Sequence, residues 1–270
     1  MKLQFKKKFE GSDPLFVVDF IADGTELSKM KIKTCMNNGG LWIKKNGQKS
    51  KKRVKKVKTL LQPNDHIEFY YDDKLDFSAQ ELAKEIYKGS EFAVWYKPAG
   101  LLSDGSPYSD KGSISYLVKQ SNRKCFLIQR LDREVSGVML VAYSKKMAAF
   151  FSKELQENKI KKYYQAEVMG HVACDGEIST ELDGKSARTI YSVSKQEEGI
   201  SSLDIEIETG RFHQIRRHLD SIDHPIMGDP RYGEGNKNKD GIKLVASACE
   251  FFDPKKRKRI TVSVDGTVEG

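Results

Sequence analysis

Strand-like alternation of apolar and polar residues runs through the second half of this 270-residue chain and limits the folds open to it. Between residues 162 and 169, Tyr164, Ala166 and Val168 fall on one face of an extended segment, and their neighbours fall on the other. The alternation returns at residues 187–193 and 203–207. Short turns join these segments, which favours antiparallel pairing. We therefore expect a largely antiparallel β-sheet.

Two segments among the strands have helical spacing instead. Residues 145–158 carry four apolar side chains at that spacing, namely Met147, Phe150, Phe151 and Leu155. Residues 212–221 carry Ile215 and Leu219 as a core stripe. Strands outnumber helices, so the sequence predicts an α+β domain in which helices pack on the sheet.

Basic residues are concentrated near the N-terminus. The whole chain has a formal charge of +9, yet residues 27–64 alone contain twelve Lys or Arg and no acidic residue. Such a block repels itself unless a polyanion neutralises it, although a solvated helix face is the alternative interpretation. We expect phosphate contacts from five of its side chains, Lys29, Lys33, Lys51, Lys52 and Arg53.

Residues 28–38 of this block have the pattern of a short helix. Ser28 is a suitable N-cap, and Gly39 with Gly40 is expected to end the helix. Three side chains are predicted to face inward, Met30, Thr34 and Met36.

The rest of the block has the pattern of short strands and turns. Strand-like residues 41–45 precede the Asn46-Gly47 turn, and a Pro63-Asn64-Asp65 turn precedes a strand at 66–71. Together with the basic helix, this order over residues 26–71 resembles the S4-type RNA-binding module. The resemblance implies RNA as a partner.

Composition changes again after this module. Acidic residues crowd between positions 72 and 90, and a strand begins at Phe92. We expect a small α/β S4-like domain at 1–75, an acidic linker at 76–91 with a short helix over 78–87, and the larger domain at 92–270.

Several function classes are not supported by the sequence. The four cysteines form no CxxC pair, the histidines form no HExxH frame, and no phosphate-binding loop or dinucleotide fingerprint is present, so we predict no metal and no cofactor. No apolar run approaches eighteen residues, and residues 1–9 lack an apolar signal-peptide segment. We expect a cytoplasmic monomer that does not contact membranes.

Two segments carry the residue types of a reactive site. The first, residues 130–137, places Asp132 between Arg130 and Arg133 in a loop between two predicted strands. Functional side chains often occupy such loops, but an Asp in a surface ion pair is an equally ordinary interpretation. The second segment, residues 210–216, opens the predicted helix with arginine and histidine.

The motifs, in this order, resemble those of the RluA-type pseudouridine synthases, which isomerise uridine in RNA. The residues that carry the resemblance are Arg130 to Arg133 with Ser136-Gly137, Lys162-x-Tyr164-x-Ala166, Lys185 to Thr189, and Gly210 to Arg216 with His218-Leu219. The match spans residues 92–252, and an S4 module in front is common in this family. It implies the pseudouridine synthase fold and ribosomal or transfer RNA as substrate.

The resemblance also implies residue roles. Asp132 is the expected catalytic carboxylate, Arg216 its ion-pair partner, and Tyr164 the ring that stacks on the flipped uracil, unless it is simply a core tyrosine. Arg130 is expected to enter the RNA stack in place of the uridine. The full set of expected substrate contacts is Arg130, Arg133, Lys162, Arg211, His213 and Gln214.

Some positions depart from the family pattern. Gln129 replaces a usual His, and Val135 and Phe212 each replace a usual Thr. These departures concern hydrogen bonding and target preference rather than the reaction. Two other hypotheses remain, a non-catalytic RNA-binding or ribosome-assembly protein and a uracil glycosylase acting on DNA. The basic run at 255–259 is equally consistent with RNA contact and with a solvated tail.

Overall fold

The computed structural model describes residues 1–75 and 77–270, which divide into two compact units. The first unit comprises Met1–Ser78 with Asp104–Leu117, and the second comprises Ala79–Ser103 with Val118–Gly270. The helices are α1 (Val17–Asp23), α2 (Lys29–Asn38), α3 (Ile114–Gln120), α4 (Lys145–Gln156) and α5 (Gln214–Asp220). The strands of the first unit are β1 (Lys2–Lys8), β2 (Leu15–Phe16), β3 (Leu41–Lys44), β4 (Lys52–Arg53), β5 (Leu60–Leu61) and β6 (His66–Asp72).

The first unit is a small sheet packed on two helices. Its sheet has the antiparallel order β1-β6-β3-β4, and β2 pairs separately with β5. Buried apolar side chains from the sheet and both helices form one core, including Phe5, Ile21, Ile32, Leu41 and Phe69. The N-terminal strand β1 and helix α1 precede residues 26–71, the part whose pattern resembles the S4 module.

Helix α2 ends where the sequence predicted, but its buried face is different. Ser28 accepts a hydrogen bond from the Lys31 amide, and Gly39 adopts a left-handed conformation with φ of 96° at the C-terminus. The prediction that Met30 and Thr34 face inward is wrong, because both are exposed. The buried side chains are Ile32, Cys35 and Met36.

Residues 104–117 group with the first unit, which the expected domain boundaries did not include. Their backbone provides hydrogen-bond acceptors for side chains of that unit. The Trp42 indole donates to the Pro107 carbonyl at 3.0 Å, and Arg53 Nη2 donates to the Ser106 carbonyl at 2.7 Å. Ser109 Oγ donates in turn to a carbonyl at the end of α2.

The second unit is built on one large sheet. Its strands are β7 (Lys84–Lys88), β8 (Phe92–Lys97), β9 (Phe126–Leu127), β10 (Ser136–Ala142), β11 (Lys161–Met169), β12 (Gly176–Ile178), β13 (Thr189–Glu197), β14 (Ile200–Ile207), β15 (Leu244–Asp253), β16 (Lys258–Ser263) and β17 (Val268–Glu269). The sheet order is β12-β13-β14-β11-β15-β10-β8-β7, with β9 beside β10, and with β16 beside β15 and β17.

Antiparallel pairing dominates this sheet, which confirms the predicted α+β class. Strands β10 and β15 run parallel, whereas the neighbouring pairs β11–β14 and β13–β14 are antiparallel. Helix α4 packs on β10, and the rings of Phe92, Phe151 and Phe251 meet edge to face beneath it. Edge-to-face contacts of this kind stabilise the fold beyond what the burial of the same apolar area contributes.

The segment expected as an acidic linker with a helix has a different structure. Residues Ser78–Leu82 form a short 3-10 helix, and β7 then pairs with β8 as an edge strand of the large sheet. Glu85 explains part of this outcome, because its carboxylate forms an ion pair with Arg123 of the same unit. Glu85 therefore belongs to an edge strand of the sheet and not to a linker.

Candidate active site

The loop that carries Asp132 is fixed on both sides. Immediately before Asp132, the Leu131 amide donates to Ser103 Oγ at 2.9 Å, and Ser103 Oγ donates to the Leu131 carbonyl at 2.7 Å. After it, Gly137 has a φ of 130°, and a Cβ there would lie 2.3 Å from the Ala246 carbonyl oxygen. Only glycine allows β10 and β15 to approach so closely at the exit of the loop.

A buried lysine lies beneath the same loop. Lys97 Nζ donates to the carbonyls of Pro98 at 3.1 Å, Leu101 at 2.7 Å and Arg133 at 3.4 Å. Burial lowers the pKa of Lys97 to about 7, against the opposing influence of the Asp132 and Glu134 carboxylates. Lys97 thus ties the end of β8 to the loop that carries Asp132.

Arg216 connects two aspartates inside the unit. Its side chain is 1% exposed, and its Nη1 lies 3.1 Å from Asp132 Oδ2. Its Nε and Nη2 donate to the two carboxylate oxygens of Asp229 at 2.6 and 2.7 Å. Burial alone would raise the pKa of Asp229, but hydrogen bonds from Arg216 and two backbone amides outweigh burial and lower it. This bidentate contact sets the direction of the guanidinium.

His213 lies against the side chains of Asp132 and Arg216. Its Nε2 is 3.5 Å from Asp132 Oδ2 and 3.3 Å from Arg216 Nη1, and its Nδ1 is 3.0 Å from the Tyr232 hydroxyl. Burial and nearby arginines lower the pKa of His213, which favours the neutral ring. A neutral His213 accepts from Arg216 through Nε2 when Nδ1 carries the proton.

Tyr164 is placed by strand β11. The sequence predicted that Tyr164, Ala166 and Val168 face inward, and all three are buried. The register between β11 and β15 shifts between Tyr163 and Gln165, and irregularities of this kind redirect side chains near active sites. Burial raises the pKa of Tyr164 far above its ordinary value, and the charge of Asp132 raises it further, so the phenol keeps its proton.

These groups share one hollow at the surface of the second unit. Its volume is about 80 Å³, and Asp132, Tyr164 and Arg216 all line it. Other residues expected at a substrate also line it, namely Arg130, Arg211, His213 and Gln214. The sequence therefore predicted a set of distant residues that the fold brings together.

Three of the residues that were expected to contact substrate form hydrogen bonds within the protein. Lys162 is buried, its Nζ donates to the Thr209 carbonyl at 3.1 Å, and burial lowers its pKa to about 8. Gln214 donates to the Arg188 carbonyl and accepts from the Arg211 amide. Arg133 is exposed, with its Nε 3.1 Å from the Gly100 carbonyl.

The basic block has acidic neighbours that its sequence did not reveal. Acids from flanking segments pair with several of its cations, as in Lys29–Asp19 at 2.8 Å, Lys45–Asp65 at 2.6 Å, Lys51–Glu68 at 2.7 Å and Lys55–Asp110 at 2.8 Å. The inference that these cations lack counter-charges is therefore wrong. Arg53 is largely buried and covers the Trp42 ring at 4.4 Å, whereas Lys33 and Lys52 are exposed.

Sequence reasoning assigned no role to three residues of this site, Lys97, Asp229 and Tyr232. Nothing local in the sequence shows that these side chains contact the loop, Arg216 or His213. Within residues 1–75 and 77–270, no group of His, Cys, Asp and Glu side chains converges to hold a metal ion. In the same residues, none of the helices has the length and apolarity needed to span a membrane.

Proteins of one enzyme family resemble this chain in sequence. A family model described as RNA pseudouridylate synthase matches residues 91–221. The tRNA pseudouridine synthase C of Haemophilus ducreyi is 32% identical over 216 residues, covering 66% of this chain and 88% of that protein. The dual-specificity RNA pseudouridine synthase RluA of Vibrio parahaemolyticus is 32% identical over 194 residues, covering 63% and 78%.

Solved structures show the same fold. Human RNA pseudouridylate synthase domain containing 1 aligns with a TM-score of 0.59 at 21% identity, covering 70% of this chain and 85% of that one. The likeness shows that this mixed α and β fold is one that pseudouridylate synthases share. The chain belongs to the RluA-type family of RNA pseudouridine synthases.

Proposed function

We propose that this protein isomerises specific uridines of ribosomal or transfer RNA to pseudouridine, with Asp132 as the catalytic carboxylate. The observation that carries the proposal is the contact between Asp132 Oδ2 and Arg216 Nη1, at 3.1 Å, in a hollow that Tyr164 also lines. The Asp132 side chain is 27% exposed, so a substrate can reach it, whereas its partner Arg216 is buried.

The size of the hollow limits which part of an RNA substrate it can enclose. Pockets that enclose whole small molecules measure about 300–1,000 Å³, whereas this hollow measures about 80 Å³. It cannot enclose a whole nucleotide, so the RNA chain must lie outside it. Extruding a base from its stack costs a few kcal/mol. Arg130 is exposed and lines the hollow, where it can fill the vacated position.

The chemistry needs few groups from the protein. The N–C glycosidic bond of uridine breaks, the uracil turns while it remains bound, and a C–C bond forms to the same ribose carbon. The base loses a proton from carbon and gains one on nitrogen, so substrate and product are isomers. Asp132 acts at the ribose C1′ region or on the base, and Arg216 holds its carboxylate in place. Tyr164 lines the hollow, and we assign it the stacking contact with uracil.

We propose RNA as the partner of this protein, a monomeric state and a cytoplasmic location. The first unit resembles an S4 module in sequence, and its exposed Lys33 and Lys52 support RNA-backbone contact there. Related proteins are named for either transfer RNA or the large ribosomal subunit, which supports these two RNA classes. One chain supplies every group of the hollow, which agrees with a monomer. Both RNA classes occur in the cytoplasm, and we propose that the protein acts there.

The test is a map of pseudouridines in RNA from cells with and without this gene, followed by modification of the identified RNA with purified protein. We expect a defined site to disappear on deletion and to return with the purified protein. A map without any lost site would support one of the two other hypotheses, a non-catalytic RNA-binding protein. That protein would have no need to keep Asp132, Tyr164 and Arg216 together.

A further inference from the structure

A large aromatic side chain stands open to solvent beside the hollow. Phe212 is 61% exposed, whereas the residues that follow it on α5 are mostly buried, among them Gln214, Ile215 and Arg216. Its chain neighbours Arg211 and His213 both line the hollow. Single exposed apolar residues are common on protein surfaces, so exposure alone carries no conclusion.

The orientation of the Phe212 ring distinguishes it from an ordinary surface residue. It stacks on the His213 ring with a centroid distance of 3.8 Å and an angle of 19° between planes. Both ring nitrogens of His213 have neighbours, since Nδ1 lies 3.0 Å from the Tyr232 hydroxyl and Nε2 lies 3.3 Å from Arg216 Nη1. His213 also has a positive φ of 52°, a conformation that persists in a non-glycine residue only when its surroundings enforce it.

Phe212 is therefore an aromatic platform fixed at the edge of the hollow. One face of the ring rests on His213, and the solvent-exposed part of the ring is available to a ligand. Flat aromatic side chains of this kind bind nucleobases by stacking, and they do so without regard to base identity because every base has a π-face. The charge of Arg211 beside the ring suits a ligand that carries phosphate.

We propose that Phe212 forms a stacking site for a nucleobase adjacent in the RNA to the flipped uridine. This inference rests on the proposed function and deepens it. The hollow is too small to enclose more than one nucleotide, so the neighbouring bases remain outside, and Phe212 presents an exposed aromatic ring next to two residues that line it. Stacking there holds the flanking strand while the uridine is extruded.

The position has consequences for target choice. Phe212 stands where the family pattern usually has Thr, and a threonine side chain has no π-face on which a base can stack. The platform is thus a feature of this chain rather than of the reaction. It should strengthen RNA binding, and so lower KM, without altering the step at Asp132.

The experiment measures kcat and KM for pseudouridine formation on the RNA fragment that contains the mapped uridine. Phe212→Ala and Phe212→Thr should raise KM roughly 5- to 150-fold, the loss expected for one base–aromatic stack. Both should leave kcat near wild type, and Phe212→Tyr should restore KM. The control is Leu82→Ala, since Leu82 is similarly exposed, at 65%, in the same unit and should have no effect.

A second measurement identifies the base. Fragments with 2-aminopurine at one flanking position at a time should lose fluorescence on binding wild type at the stacked position, and lose less with Phe212→Ala. An abasic residue at that position should remove the difference in KM between wild type and Phe212→Ala. Unchanged KM in Phe212→Ala, or equal quenching by both proteins at every position, would overturn the stacking site. Failure of the wild type to form pseudouridine would instead overturn the proposed function.

Discussion

Removal of the Arg216 guanidinium should destabilise the second unit strongly. In Arg216→Met, the Asp229 carboxylate stays fully buried but loses both of its contacts to Arg216. Loss of one partner of a buried ion pair costs about 3–5 kcal/mol. Asp229 still accepts hydrogen bonds from the Arg231 and Tyr232 amides at 2.8 and 3.2 Å, so we expect the lower end, about 3 kcal/mol.

The double variant Arg216→Met with Asp229→Asn tests the origin of that loss. It leaves no unpaired charge in the interior, so its destabilisation should be smaller than the sum of the two single changes by about 1–3 kcal/mol. The matched control is Arg217→Met on the same helix. Arg217 pairs with Asp183, whose side chain is 65% exposed, and such surface pairs are worth about 0–1 kcal/mol.

Urea unfolding followed by tryptophan fluorescence can be confined to the relevant unit. The chain has two tryptophans, Trp42 in the first unit and the buried Trp95 in the second. In a Trp42→Phe background, Trp95 alone reports on the unit that contains Arg216. Additive single changes, or a loss in Arg216→Met no larger than in Arg217→Met, would refute the account of a buried charge held by its partner.

Further predictions concern the loop, the stability of the unit and the RNA contacts. Burial lowers the pKa of Lys97 to about 7, so above that pH the unfolded state binds more protons and stability rises with pH. In urea unfolding, the free energy of unfolding should rise between roughly pH 7 and 10. Lys97 should contribute no more than about 1.4 kcal/mol per pH unit, so Lys97→Met should reduce the rise. Gly137→Ala should destabilise the second unit and impair pseudouridine formation, because its Cβ would meet the Ala246 carbonyl at 2.3 Å; wild-type thermal stability would contradict this. Lys33→Gln and Lys52→Gln should each reduce the slope of log affinity against log salt by about 0.7–0.9 if the residue contacts one phosphate, which filter binding can check; an unchanged slope would remove that residue from the RNA contacts.

Much of the fold follows from local patterns. The alternation in β11 predicted which face Tyr164 occupies, and the Ser28 cap with Gly39 predicted the ends of α2. The prediction that Asp132 and Arg216 form a pair came from resemblance to a family, because nothing local in two segments so far apart indicates contact. Local periodicity also failed for Met30, where a short helix allowed more than one possible buried face.

Long-range contacts explain what the sequence could not predict. Burial of Lys97 depends on three carbonyls of surrounding loops, and the partner of Arg216 at Asp229 depends on how the chain turns after α5. Counter-charges such as Asp19 and Asp110 lie outside the basic block in sequence but next to it in space. A charge pattern along the chain therefore overstated the free positive charge of the first unit.

The central claim is that the Asp132 carboxylate carries the reaction. The most direct measurement compares wild type, Asp132→Asn and the surface control Asp265→Asn in single-turnover pseudouridine formation on saturating mapped RNA, with RNA affinity measured in parallel. We predict that Asp132→Asn binds RNA but forms no pseudouridine, whereas Asp265→Asn behaves as wild type. Pseudouridine formed by Asp132→Asn at a rate close to wild type would contradict the account.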